Sequence, residues 1–160
     1  MREGLAIFLL LSIILAISCR KNDIGPAQSA PDIYLAGREF LPNSSSVVAA
    51  YWKNGVPAHL SDGSHWAEAH AITVSGNDVY VVGSEVLPNE PFHVATCWKN
   101  GVEIPFAKGK TWGEANAVVV VGDDVYIAGT VPSFYQYNWD GTKAVYWKNG
   151  VHEDLTTESI

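Results

Sequence analysis

The four letters WKNG occur three times in this chain of 160 residues, and the repetition constrains the fold more than any other feature of the sequence. The copies begin at Trp52, Trp98 and Trp147, so that the first two are 46 residues apart and the last two are 49 apart. A motif that returns at a period of 20 to 50 residues predicts an array of similar units, each packed on its neighbours.

The repeat extends well beyond these four letters. The segments 62–85 and 108–131 align at the same offset of 46, and a partial copy begins at Asp32. The aligned pairs include Gly63 with Gly109, Trp66 with Trp112, Glu68 with Glu114, Asp78 with Asp124, and Gly83 with Gly129. The three additional residues of the last unit fall in the stretch TVPSFYQYNWDGT, where we expect an aromatic and polar loop.

Each period predicts four short strands. In the second unit these are about 68–74, then VYVVGSE, HVATCW and VEIPF, and the residues of HVATCW alternate in type along the strand. The Asn-Gly pair between the third and fourth strands favours a tight hairpin, because both residues tolerate positive φ. Pro57 and Pro105 lie in the fourth strand. Since proline cannot donate to a strand ladder, we expect this strand at the sheet edge.

The motifs YWKNG, CWKNG and YWKNG, together with IYLAG, VYVVG and VYIAG, resemble tandem YWKNG and DVYVAG repeats in bacterial (Bacteroidota-like) lipoproteins. The resemblance covers about residues 31–155 and implies a β-propeller. The expected fold is therefore all-β: a partial propeller of about three four-stranded antiparallel blades, preceded by a signal helix. The expected blades are about 32–61, 62–107 and 108–160, within a repeat domain 32–160.

A closed propeller requires at least four blades, so three blades imply an incomplete ring. We consider three explanations. The chain is a truncated product of a longer propeller gene; or two chains form a homodimer that closes a six-bladed ring; or the repeats form an open structure. An isolated array would leave one apolar blade face exposed.

The N-terminus predicts export. The 13-residue apolar run from Leu5 to Ile17 would span roughly 20 Å as a helix, less than a ~30 Å bilayer core. The run ends in small residues immediately before Cys19, which resembles the lipobox of bacterial lipoproteins. The resemblance implies that residues 1–18 are a lipoprotein signal peptide, with lipid on Cys19 as the membrane anchor, and residues 19–31 are predicted as a polar tether. A plain secretory signal is the alternative. Lipidation predicts an extracytoplasmic protein of the cell envelope, at the outer membrane or cell surface.

Composition argues against nucleic acid as a partner, because the net charge is −7 and the lysines are scattered. Only two cysteines occur, Cys19 and Cys97. If Cys19 carries lipid, Cys97 has no partner within the chain, and we expect it to be a half-buried strand residue rather than a nucleophile.

Residues at the start of the first strand of each unit are candidates for ligand binding. They would lie at the mouth of a propeller channel, where aromatic and carboxylate side chains could hold a glycan; they are Trp66, Glu68, His70, Trp112, Glu114 and Asn116. The alternative is that these residues repeat because they pack between the units and have no ligand. The WKNG tryptophans are likewise expected to be core residues or to pack between units.

No catalytic, metal or cofactor site is predicted. The five histidines do not have the spacing of metal ligands, and the Asp and Asn residues at GNDVY and GDDVY are expected to bond backbone in hairpin turns. We therefore expect a lipid-anchored binding or scaffold protein with a glycan or protein ligand. The alternatives are a glycan-active enzyme with Glu68 and Glu114 as acid and base, or a structural remnant without ligand.

Overall fold

The computed structural model describes residues 30–42, 46–90, 92–106, 112–135 and 138–155. The predicted signal peptide 1–18, Cys19 and all but the last two residues of the tether lie outside these ranges. The described strands all belong to one compact unit, Asp32–Ile160. Within the described ranges there is no helix, and hence none with the length and apolarity needed to cross a membrane.

Eleven strands in the described ranges form three antiparallel sheets. Sheet 1 has the order β1-β2-β3, sheet 2 the order β4-β5-β6-β7, and sheet 3 the order β8-β9-β10-β11. The bounds are β1 Tyr34–Phe40, β2 Val47–Lys53, β3 Val56–His59, β4 Trp66–Ser75, β5 Asp78–Val86, β6 Val94–Lys99, β7 Val102–Ile104, β8 Glu114–Val121, β9 Asp124–Tyr135, β10 Asn138–Lys148 and β11 Val151–Asp154.

The all-β prediction of repeated four-stranded antiparallel units is confirmed for sheets 2 and 3, and sheet 1 lacks the first strand of the repeat. The strand after each WKNG turn lies at a sheet edge, as the prolines predicted. The arrangement is propeller-like, but the described strands do not close into a ring.

The sheets pack face to face, and we name their faces by the WKNG tryptophan. The front face of each sheet carries this tryptophan, and the back face is the opposite one. The front face of sheet 2, with Val81 and Trp98, packs on Ala49 and Tyr51 at the back of sheet 1. The front face of sheet 3, with Ile127 and Trp147, packs likewise on sheet 2 at Val82 and Cys97. Trp98 and Trp147 are fully buried, which confirms their predicted core role.

Because sheet 2 is covered on both faces, its third strand is buried along nearly its whole length. Cys97 is therefore fully buried rather than half-buried, and burial raises the pKa of its thiol to about 12. The alternation of residue types in HVATCW separates the two faces of the strand, but both faces are core. A thiol with this pKa is not a nucleophile at neutral pH.

Each WKNG turn is joined to the Asp-Val-Tyr motif of the same sheet. In sheet 2, Nδ2 of Asn100 donates to Asp78 at 2.8 Å, and Oδ1 of Asn100 accepts from the backbone of Val79 at 2.9 Å. Lys99 forms an ion pair with Asp78 at 2.7 Å and lies over the ring of Tyr80. The same contacts recur in sheet 1 among Asp32, Ile33, Tyr34, Lys53 and Asn54, and in sheet 3 among Asp124, Val125, Tyr126, Lys148 and Asn149.

These contacts explain why the two motifs repeat together. Asn54, Asn100 and Asn149 have positive φ, at 52°, 53° and 49°, which is the backbone of a tight hairpin turn. The turn directs each asparagine side chain toward the second strand of the repeat. There the side chain bonds the aspartate carboxylate and the backbone N–H of the residue that follows the aspartate. WKNG is therefore a structural device of the sheet rather than a recognition motif.

A β-bulge interrupts the first strand of sheets 2 and 3, between Ala69 and Ala71 and between Ala115 and Ala117. The bulge presses the backbone of the first strand onto the second. A Cβ added to Gly83 would overlap the carbonyl oxygen of Glu68. A Cβ added to Gly129 would likewise overlap the carbonyl oxygen of Glu114, so this close approach accounts for the glycine of VYVVG and VYIAG.

The insertion in the last unit differs from its prediction as a loop. Its residues lengthen the hairpin of β9 and β10 to 12 and 11 residues, against 9 and 6 for the equivalent strands β5 and β6. Extra residues added in register to both arms of a hairpin continue the ladder, because every backbone group then keeps a partner. A bulge between Trp139 and Gly141 leaves Asp140 of β10 without a paired residue on β9.

Candidate functional site

The start of β8 is attached to the β5–β6 connection of sheet 2. The backbone N–H of Gly113 donates to the carbonyl of His93 at 2.6 Å, and Trp112 forms a β-bridge with Val94. Gly113 adopts a φ of 136°, and a Cβ there would overlap the carbonyl oxygen of Thr130. A glycine is therefore needed where the chain passes from sheet 2 into sheet 3.

This attachment brings two of the predicted site residues to His93. The ring of Trp66 lies 5.1 Å from the imidazole, centroid to centroid, and Oε1 of Glu114 lies 3.3 Å from Nδ1. The Nδ1 atom is buried and makes no hydrogen bond within the part of the chain that the structure describes. The carboxylate is within ion-pair distance, so a protonated His93 would form a salt bridge with Glu114.

A cavity of about 350 Å³ opens beside this pair. Its walls come from the β5–β6 connection of sheet 2 and from three strands of sheet 3, and they are Phe92, His93, Gly113, Glu114, Thr130, Val131, Pro132 and Thr142. Pro132 and Thr142 are paired across the lengthened β9–β10 hairpin, so the insertion of the last unit supplies one wall. The cavity combines an aromatic ring, a carboxylate, an imidazole and two threonine hydroxyls.

Trp112 lies next to this cavity without lining it. Its ring contacts Phe92 at a centroid distance of 5.4 Å, and its Nε1–H donates to Glu90 at 2.9 Å. The indole remains 39 % exposed. Phe92 thus lies between Trp112 and the cavity, and a ligand that extends out of the cavity past Phe92 would meet an exposed tryptophan face.

Comparisons with protein-family models, with curated proteins and with solved structures return no match to this chain.

Glu68 has a different partner from its repeat equivalent Glu114. Arg38 of sheet 1 donates to Glu68 at 2.8 Å in an ion pair. An arginine offers hydrogen-bond donors only, whereas an imidazole nitrogen donates or accepts according to its tautomer. The two glutamates therefore occupy unlike sites, although their repeat positions are the same.

His70 and Asn116 are the bulged residues of β4 and β8. Nδ1 of His70 lies 3.0 Å from the carbonyl of Ala115, and since a carbonyl only accepts, Nδ1 carries the proton. His70 thus ties sheet 2 to sheet 3. Asn116 is exposed on sheet 3, away from the lining of the cavity. Of the six candidates, Glu114 lines the cavity, and Trp66 and Trp112 contact residues that line it.

His93 and Phe92 were not among the predicted site residues, whereas Pro132 and Thr142 lie in the insertion that distinguishes the last unit. A signal was nevertheless present: at the offset of 46, His93 aligns with Val47 and Phe92 with Ser46, so these positions break the repeat. Residues that differ between copies do not serve the packing contacts that recur in every copy. Their convergence on one cavity depends on how sheet 3 docks on sheet 2.

A second titratable cluster lies between the loop before β4 and strand β5. Nε2 of His65 lies 3.2 Å from Oε2 of the buried Glu85, and Nδ1 lies 2.9 Å from the hydroxyl of Ser64. Burial raises the pKa of Glu85, and the contact with His65 opposes this effect. Asp62 accepts a hydrogen bond from the backbone of Ser64 within the loop, and the contact of His65 with Glu85 joins the loop to the sheet. No group of metal-ligating side chains is found among the described residues.

Proposed function

We propose that this protein is a lipid-anchored, extracytoplasmic binding module with a propeller-like repeat domain, and that its ligand is a hydroxyl-rich molecule such as a glycan. The cavity at the junction of sheets 2 and 3 is the proposed binding site. The single observation that carries the proposal is the His93–Glu114 pair beside a cavity of about 350 Å³.

The chemistry of the walls supports a sugar as ligand. A carboxylate accepts hydrogen bonds from hydroxyl groups, and threonine hydroxyls both donate and accept. The faces of Phe92 and Trp112 offer apolar surface against which the C–H face of a pyranose ring can pack. A volume of about 350 Å³ lies within the range of small-molecule sites.

The geometry supports binding better than the glycosidase alternative. An enzyme of this type needs two carboxyl groups that flank one bond and differ in protonation. Glu68 is held by Arg38 and does not line the cavity that Glu114 lines. One carboxylate beside a histidine is sufficient to orient a polar ligand, so binding requires fewer groups than turnover does.

The anchoring part of the proposal rests on the lipobox-like sequence that ends at Cys19. It is tested by growing cells with labelled palmitate. We expect the label in the wild-type protein and its loss in Cys19→Ser. A wild-type protein that carries no label would contradict the lipid anchor.

The binding site is tested by screening the full chain on a glycan array and then measuring the affinity for the best glycan by calorimetry. Glu114→Gln and His93→Ala are expected to weaken binding by about 10-fold to 100-fold, because a hydrogen bond to a charged group contributes about 1.5–3 kcal/mol. Glu153→Gln, on the exposed edge strand β11, is the matched control and should bind as the wild type does.

Three results would contradict the proposal. Absence of binding across a broad array would remove glycans as the ligand class and favour a structural remnant. Binding that persists in Glu114→Gln and His93→Ala would place the site elsewhere on the molecule. Turnover of a bound glycan, lost in Glu114→Gln, would favour the enzyme.

A further inference from the structure

We propose that the back face of sheet 3 binds the front face of sheet 1 in a second copy of this chain. This interaction surface is separate from the cavity and does not depend on the proposed function. It follows from the way in which the repeats pack on one another within the chain.

The back face of sheet 3 is an apolar surface. Cross-strand pairing places Ala117 with Ala128 and Val119 with Tyr126 on this face. Val119 is 50 % exposed and Val121 is 63 % exposed. A shallow depression of about 280 Å³ on this sheet is lined by apolar and tyrosine side chains, including Ala117, Val119, Tyr126, Ala128 and Tyr146.

The equivalent face of sheet 2 is covered. In sheet 2, Val82 and Cys97 occupy the positions that Ala128 and Tyr146 occupy in sheet 3, and both are fully buried. They are covered by Ile127 and Trp147 of sheet 3. Along its first strand the exposed face is also the more apolar of the two, because Val119 and Val121 stand where sheet 2 has Thr73 and Ser75. An apolar sheet face that is covered in one copy of the repeat and uncovered in the next indicates that a partner covers it.

The matching surface is found on the same chain. The front-face residues Val79, Val81 and Trp98 cover sheet 1, and their equivalents in sheet 1 are Ile33, Leu35 and Trp52. Ile33 is 63 % exposed and Leu35 is 58 % exposed. On the same face Val48 and Ala50 are already buried, so the available contact lies toward Ile33 and Leu35.

A second copy is therefore the occupant with a surface of the required chemistry. Contact of a front face with a back face is head-to-tail, and such contacts close into a ring or continue as a chain of molecules. With three sheets per copy, two copies would supply six, which is within the range of closed propellers.

The test is the molar mass of the full chain, purified in mild detergent, measured by light scattering with the mass of bound detergent subtracted. We expect a dimer at micromolar concentration. Leu35→Glu on the front face and Val119→Glu on the back face should each shift the protein to monomer, because each places a charge in both head-to-tail contacts. Val102→Glu is the matched control. Val102 is 66 % exposed on the edge strand β7, and both faces of sheet 2 are already covered within the chain, so a charge there lies outside the two proposed contact faces.

Mixing the two variants distinguishes head-to-tail contact from a symmetric one. The intact back face of Leu35→Glu can still bind the intact front face of Val119→Glu, so an equimolar mixture should recover dimer mass that neither variant shows alone. Circular dichroism of each variant verifies that the sheets are formed. A wild-type chain that remains monomeric, or a dimer insensitive to both substitutions, would overturn the proposal and point to a different occupant.

Discussion

Asn100 donates a 2.8 Å hydrogen bond to the carboxylate of Asp78, which lies 22 residues earlier in the chain. The same side chain accepts from the backbone of Val79, so one residue of the turn binds the start of the second strand at two points. Because both partners repeat with the period of the chain, each sheet is held by its own copy of this link. The WKNG and Asp-Val-Tyr motifs therefore repeat together because each supplies one partner of the same contact.

The first prediction concerns this link. Asn100→Gly removes the hydrogen bonds of the side chain, but glycine adopts the positive φ of this turn freely. Asn100→Ala removes the same bonds, and alanine must also adopt the left-handed backbone, which it disfavours. We expect the free energy of unfolding to fall in the order wild type, Asn100→Gly, Asn100→Ala, with the last two separated by about 1 kcal/mol. Urea denaturation followed by tryptophan fluorescence measures it. Equal stabilities of the two variants would show that the φ of the turn is not limiting.

The second prediction concerns the close approach at the bulge. Gly83→Ala places a methyl group against the backbone of Glu68, which cannot rotate away as a side chain could. We expect a loss of at least about 3 kcal/mol in unfolding free energy. Gly76→Ala is the control, because Gly76 has a positive φ but open space around it, and it should cost only about 1 kcal/mol. A Gly83→Ala variant as stable as Gly76→Ala would mean that the bulge relaxes.

The third prediction concerns the buried carboxyl of Glu85. Burial raises its pKa in the folded state above the ordinary 4.5, so the unfolded chain ionises first as the pH rises. The folded state therefore loses stability between pH 4.5 and the raised pKa. Glu85→Gln does not ionise, and we expect its unfolding free energy relative to the wild type to increase over this range. A difference that does not change with pH from 4 to 7 would refute it.

The fourth prediction has the opposite sign. Hydrogen bonds from Lys99 and Asn100 lower the pKa of Asp78 below 3.8 in the folded state. The stability that Asp78 contributes is thus present above pH 3.8 and is lost as the pH falls through the lowered pKa. We expect the advantage of the wild type over Asp78→Asn to shrink between about pH 4 and pH 2, in denaturation curves recorded at each pH. An advantage that grows on acidification would contradict this assignment.

The fifth prediction concerns Cys97 as a probe of the core. In a Cys19→Ser background Cys97 is the only thiol. Because it is fully buried and its pKa is raised to about 12, a thiol reagent at pH 8 should label it only after the sheets open. An added cysteine at the exposed Val102 should react at least about 100-fold faster in the native protein. Fast labelling of Cys97 without denaturant would show that sheets 2 and 3 separate readily.

Much of the local structure could be predicted from the sequence. The position of each hairpin follows from Asn-Gly, the outer strand follows from its prolines, and the repeat sets the boundaries of the sheets. These features depend on residues close together in the chain, where backbone stereochemistry and the ladder of hydrogen bonds leave few choices. The insertion near Pro132 was misjudged, because its polar and aromatic residues suit a loop and a long hairpin equally well.

The site was only partly predictable. Trp66, Trp112 and Glu114 were predicted as site residues because they repeat, but His93 contacts two of them, and its counterpart in the first unit is a valine. Similarly, Glu68 and Glu114 are equivalent in sequence, yet Arg38 pairs with one and His93 with the other. A repeat reveals what its copies share, whereas a site depends on what distinguishes them.

The repeated antiparallel hairpins and their edges follow from the sequence, since they depend on short-range pairing and on the φ of a few turn residues. Which residues meet between sheets depends on the tertiary structure. The contact of His70 with Ala115, the cavity beside His93, and the exposed back face at Val119 all depend on how one sheet stacks on the next. That stacking is set by side-chain packing over the whole face of a sheet, which no single stretch of sequence specifies.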